Sequence, residues 1–215
     1  SDLVLERSQP VRVRLKLDVG YEGEHTGANV IGEITGSEKP DEVVLLAAHL
    51  DSWDLGTGAI DDGAGVAITM AVGDLLKRAN VVPKRTIRVV AFANEEAGVY
   101  GGAAYAEQHK GEVAKHVIAA ESDFGSGRVW KFSSLVAPHA LGAIDQMMQV
   151  LAALEIVRGS NASGGGADTG PMQKLGMAAS AQANNHLRNA EVIEAMGMLP
   201  AIQARWMGLQ RRTLS

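Results

Sequence analysis

Residues 43–65 read VVLLAAHLDSWDLGTGAIDDGAG, and the chain is organised around this stretch. The apolar run Val43–Ala48 continues without alternation and is rich in β-branched and aliphatic residues, as expected of a buried parallel strand. It ends in His49 and Asp51. A Gly-rich loop follows, with Asp61 and Asp62 just ahead of Gly63. In open α/β sheets ligands bind beyond the carboxyl ends of such strands, so an imidazole and several carboxylates are delivered to the edge where chemistry is expected. Histidine with aspartate suits zinc. Residues 89–98, VVAFANEEAG, repeat the design, ending in Glu95 and Glu96.

At 215 residues the chain fits one domain (1–215) with a substantial core. It is 46% hydrophobic and 21% charged, ordinary for a soluble globular protein. The net charge of -5, with no Lys/Arg-rich block, argues against a nucleic-acid partner. No apolar run reaches the roughly 18 residues of a membrane span, so no membrane association is expected. Cysteine is absent, which removes disulfides and thiolate ligands. No signal-peptide pattern follows Ser1.

Along the chain, 11–17 (VRVRLKL) alternate strictly and predict a strand with one wet face, paired as an edge hairpin with a second strand at 28–35. Gly36–Asp41, with Pro40, predict a turn. Gly63–Ala79 predict a helix whose last turn carries Lys77 and Arg78, which suit the negative end of its dipole. Thr86–Ala93 predict a central strand, Gly101–Lys110 a helix, Val117–Glu121 a strand ending at Ser122 and Asp123, and 140–155 an amphipathic helix. The loop NASGGG, Asn161–Gly166, leads to Asp168. Residues 183–215 hold two helical stretches, 190–198 and 202–209, separated by Pro200, which breaks or kinks them. The alternation of strands and helices predicts an α/β, three-layer αβα sandwich with a mixed, mostly parallel sheet.

Each motif alone has a bland reading. His49 is a polar strand end, and Asp61 and Asp62 are a helix N-cap pair. Glu95 and Glu96 are exposed acids opening a helix, and Asp123 is a turn former. Together they differ. Three apolar strands end in acids at one edge of one sheet, an arrangement that is costly unless a cation neutralises it.

HLDSWDLGTGAIDDGAG, FANEEAG and AAESDFG together resemble the three signature segments of the co-catalytic dizinc exopeptidases. That group includes bacterial leucyl-type aminopeptidases, glutamate carboxypeptidase and glutaminyl cyclases. HLDSWD, GAIDDG and ESDFG are most similar to its plasma glutamate carboxypeptidase (carboxypeptidase Q) branch. The resemblance runs from about Val11 to about Ala181.

It implies a zinc exopeptidase, an aminopeptidase or dipeptidase. Such an enzyme hydrolyses a terminal peptide bond with a metal-bound water activated by Glu95 as general base and acid. It also implies that His49 and Asp123 bind one zinc, that Asp61 bridges two, and that Glu96 binds the second. Asp51 is then the partner of the His49 ring, the Asp61–Asp62 bond is cis, and Asp168 lies near the substrate pocket. The expected partner is a peptide or dipeptide, the expected location periplasmic or secreted, and oligomeric state is open, a homodimer included.

The sequence departs from the pattern at its C-terminal end. The family's last zinc-binding histidine, in a pattern like HHTxDDT, has no match; the chain reads ANNHLRNAEV, and His186 is the default candidate. The first part of the family's catalytic domain and any inserted protease-associated domain are expected to be missing from this stretch of sequence. The competing expectations are a non-catalytic binding or interaction homologue with an incomplete metal site and a glutaminyl cyclase-like acyltransferase. Retention of both Glu95 and Glu96 argues against the first.

Overall fold

The run at 43–48 forms the end of a long strand, β2 (Lys39–His49), at the centre of a mixed sheet. The structure is a computed structural model and describes residues 12–20, 23–123 and 125–185. The strands are β1 (Val30–Ile34), β2, β3 (Arg85–Phe92), β4 (His116–Glu121), β5 (Val129–Leu135), β6 (Val157–Arg158) and β7 (Ser180–Asn185). Among the described residues they form one sheet of seven strands in the order β1-β3-β2-β4-β7-β5-β6. β2 pairs in parallel with β3 on one side and β4 on the other, and β4 with β7; β1 on β3 and β5 on β7 are antiparallel.

The helices are α1 (Gly63–Arg78), α2 (Tyr100–Gln108), α3 (Leu141–Ala152) and α4 (Gly170–Lys174). α1 connects β2 to β3, and α2 connects β3 back across β2 to β4. The two crossovers run in opposite directions. Since each such connection is right-handed, α1 and α2 lie on opposite faces of the sheet. The chain leaves β2 toward β3 and leaves β4 toward β5, so the connections diverge between the neighbours β2 and β4. This is a topological switch point, where α/β sheets open a crevice beyond the strand ends.

The core gathers Leu45, Ala47, Val90, Phe92, Tyr105, Ala106, Val113, Ala119, Met172 and Met177. Val43, Leu45 and Ala47 are buried while Val44 and Leu46 are half-buried, so one face of β2 is covered more deeply than the other. The Tyr105 hydroxyl sits within this core, accepting from Arg88 at 2.7 Å and paired with His116 Nε2 at 2.8 Å. An apolar groove of about 620 Å³ lies between β1, β3 and α1; none of the acids or histidines singled out by sequence lines it. No helix among the described residues is long and apolar enough to cross a membrane.

Several sequence expectations are corrected. Residues 12–17 carry no strand, and Val13, Leu15 and Leu17 are exposed. Alternation supplies a strand's period but not its partner: β1 spends its hydrogen bonds on β3, so the edge hairpin does not form. The expected turn at 36–41 is shorter, because β2 begins at Lys39 and runs through Pro40 at its frayed start, where the register with β3 shifts. β5, β6, β7 and α4 were not anticipated. The stretches 190–198 and 202–209 and His186 lie outside the described residues.

Candidate metal centre

His49 ends β2 with its side chain buried, only 1% exposed. Its ring lies among acids brought from three segments. Nε2 is 3.0 Å from Asp61 Oδ1 and 3.3 Å from Asp123 Oδ1. Asp61 ends the Gly-rich loop, and Asp123 follows β4, so the divergence of β2 and β4 puts an imidazole and a carboxylate face to face.

Two groups of ligand atoms result, each with all atoms within 4.8 Å of one another: His49 with Asp61 and Glu96, and His49 with Asp62 and Asp123. Asp62 is already engaged. Its carboxylate caps α1, accepting the Gly65 amide at 3.0 Å, and accepts the His49 amide at 3.1 Å. It therefore fixes the strand end and the helix start against each other. The Asp61–Asp62 peptide bond is cis.

Glu95 and Glu96 sit in the turn between β3 and α2, entered through Asn94 at φ 57°. Asp51 organises that turn. Its Oδ1 accepts the Glu95 amide at 2.9 Å and its Oδ2 the Glu96 amide at 3.1 Å. The sequence reading made Asp51 the partner of the His49 ring. Nδ1 meets the Asp51 backbone carbonyl at 3.0 Å and its carboxylate at 3.6 Å. Either contact favours a proton on Nδ1, so Nε2 is the nitrogen that can face a cation once its own proton leaves.

The electrostatics show an excess of negative charge. Burial disfavours a charged His49, but its hydrogen bond to Asp123 and the charges of Asp123, Asp62 and Glu95 outweigh this and raise its pKa to about 10. Burial raises Asp62 to about 7. Glu95 is raised by burial and, against the opposing charge of His49, by Asp123, Glu96 and Asp51. Glu96 is raised by burial and by Asp61. Carboxylates shifted up together, around an imidazole shifted up beside them, fit a site that binds a divalent cation.

Asp168 is 1% exposed, so its carboxyl offers no open surface to a ligand. Burial and the charge of Glu95 raise it to about 7. Its neighbour Glu121, at the end of β4, did not stand out in sequence, since a lone Glu inside an apolar strand gives no signal. It is 3% exposed, and its pKa is held well above the usual carboxyl range by burial and the charges of Asp168 and Asp123.

Residues 29–128 match peptidase family M28. The matched segment belongs to peptidase family M28. The chain is 35% identical over 152 residues to carboxypeptidase Q of Rattus norvegicus, covering 71% of this chain and 32% of that protein. Among solved structures, a peptidase M28 precursor from Shewanella amazonensis superposes with a TM-score of 0.72 at 46% identity, over 75% of this chain and 36% of that one. A zinc aminopeptidase from Bacillus subtilis gives 0.57 at 22% identity, over 73% and 39%, a likeness of fold. The M28 chain thus spans about a third of the length of these relatives.

Proposed function

We propose that this M28 domain is the catalytic part of a zinc-dependent exopeptidase that releases a terminal residue from a peptide or dipeptide. The observation that carries the reading is the pair of ligand groups sharing His49 at the switch point of the sheet. His49 and Asp123 would hold one zinc, Glu96 a second, with Asp61 between them and His186 as the candidate for the remaining ligand. When bound, zinc supplies Lewis acidity and lowers the pKa of water.

The chain's own residues do the rest. Glu95, raised by burial and by neighbouring acids, accepts the proton of the attacking water and returns it to the leaving amine nitrogen. Asp51 holds the turn so that two consecutive glutamates serve different partners. Asp62 ties the His49 backbone to α1. A periplasmic or secreted location goes with this reading, supported by the similarity to the carboxypeptidase Q branch and by a relative described as a precursor.

Metal analysis of protein purified without chelator, beside hydrolysis of amino-acid amides and dipeptides, tests the reading. Bound zinc is expected, with activity removed by a chelator and restored by zinc. A preparation that stays inactive with zinc in excess would turn the reading toward a binding module on the same fold.

A further inference from the structure

Glu121 lies at the end of β4, two residues before Asp123. Its Oε2 accepts the backbone amides of Asp168 at 3.0 Å and Thr169 at 3.3 Å, and its own amide donates to the Gly165 carbonyl at 3.3 Å. The loop that supplies these groups is shaped to receive it. Gly166 has φ +133°, and a Cβ there would overlap the Glu121 carboxyl. Gly102, in the first turn of α2, leaves room for Asp168, since a Cβ at that position would press on the Asp168 backbone and carboxyl. Loop 163–169 is thus clamped between the end of β4, which leads to Asp123, and the start of α2, which follows Glu95 and Glu96. Glu121 Oε1 and both carboxyl oxygens of Asp168 are buried without a hydrogen-bonded partner. So costly a buried side chain persists where the two amides it accepts would otherwise be orphaned.

We propose that Glu121 is a positioning residue that locks the Gly-rich loop 163–169 against the strand end leading to Asp123, and so holds Asp168 at the start of the helix that follows Glu95 and Glu96. The requirement is for an acceptor of the right shape and not for a charge. Glu121→Gln keeps an acceptor oxygen for the two amides and turns an N–H toward Asp168. Glu121→Met fills the same space with no acceptor. The idea rests on the exopeptidase reading for its kinetic consequence, whereas the loop clamp can be read without activity.

The test is hydrogen exchange of the segment 163–175 in the full chain with zinc, beside peptide hydrolysis at equal zinc content. In Glu121→Met, exchange of this segment should speed by about tenfold or more, because two buried amides lose their acceptor. kcat/KM should fall by a similar factor, because the loop ties together the elements that carry Asp123 and Glu95. Glu121→Gln should match the parent in both. Unchanged exchange in Glu121→Met, or a Gln variant as open as the Met variant, overturns the proposal; should the Met variant not purify, Gly166→Ala, whose Cβ would displace the Glu121 carboxyl, should open the segment likewise, and unchanged exchange there overturns it. If no form hydrolyses peptide, the exopeptidase reading fails, and the exchange result still decides the clamp.

Discussion

Asp51 Oδ1 accepts the backbone amide of Glu95 at 2.9 Å across 44 residues of sequence. Its other oxygen accepts the amide of Glu96 at 3.1 Å. A single carboxylate thus sets the phase of two acids that the proposed chemistry uses differently. Asp51→Asn replaces one acceptor oxygen with an N–H₂ that faces an amide donor, which leaves that amide unpaired. Groups supporting a metal centre in this way typically contribute 10–100-fold in metal affinity or activity, so a loss of about that size is expected. Steady-state hydrolysis and zinc content of the variant measure it. A variant within about twofold of the parent would show that the turn holds its shape without Asp51.

The sheet's central strands were legible because Val43–Ala48, Thr86–Ala93 and Val117–Glu121 are predominantly apolar runs, and their carboxyl ends mark where the candidate ligand residues meet. β7 was not legible. Its sequence, SAQANN, is poor in β-branched and aromatic residues, and it is a strand because β4 and β5 pair with it on either side. Residues 12–17 fail in the opposite sense, with a perfect period and no partner among the described residues. The acceptor roles of Asp51 and Glu121 were not legible for one reason: they are set by amides 44 and 47 residues away, and no local pattern encodes a tertiary acceptor.

Gly65 is where α1 comes closest to the site. A Cβ there would overlap the Ser122 carbonyl oxygen and both carboxyl oxygens of Asp62. The neighbours are backbone and the capping carboxylate, so neither can swing aside. Gly65→Ala should destabilise the fold by about 1–3 kcal/mol, the usual cost of overpacking a tight interior. Gly73, in the same helix, would meet only the tip of the Ile34 side chain at 3.9 Å, so Gly73→Ala should be neutral or stabilising through helix propensity. Denaturant unfolding of the pair checks the contrast. Equal effects would mean that the approach at Gly65 relaxes freely.

The metal-free protein should depend on pH in a defined direction. His49 has its pKa raised from 6.5 to about 10. A raised value means that its stabilising contribution is complete below pH 6.5 and is lost as pH climbs through about 10. Asp62, raised from 3.8 to about 7, acts in the same direction, its contribution being lost as pH rises through about 7. Stripped protein should therefore melt at a lower temperature at pH 9 than at pH 6. Zinc needs the neutral ring, so binding displaces the His49 proton, and apparent affinity should rise by about tenfold per pH unit near neutrality. Titration calorimetry in buffers of different ionisation heat reads the released proton. Binding with no proton release would remove His49 from the ligand set.

Glu95 and Glu96 are adjacent, both raised by burial, and both tied to Asp51 through the backbone, so substituting them alike separates proton transfer from metal binding. Glu95→Gln preserves shape but cannot accept a proton. With zinc retained, kcat should fall by about 10²–10⁴-fold while KM changes little, the range expected for loss of a general acid–base group. Glu96→Gln weakens a ligand that lies with His49 and Asp61 in one group, so bound zinc should drop and added zinc should restore part of the activity. If both acids merely opened α2 they would act through the helix dipole, worth about 0.3–1 kcal/mol each, and the two variants would be mild and alike. Zinc content and dipeptide hydrolysis measured on both variants distinguish these outcomes. Loss of zinc in Glu95→Gln with full retention in Glu96→Gln would exchange the two roles, because the amide substitution that empties the site identifies the ligand.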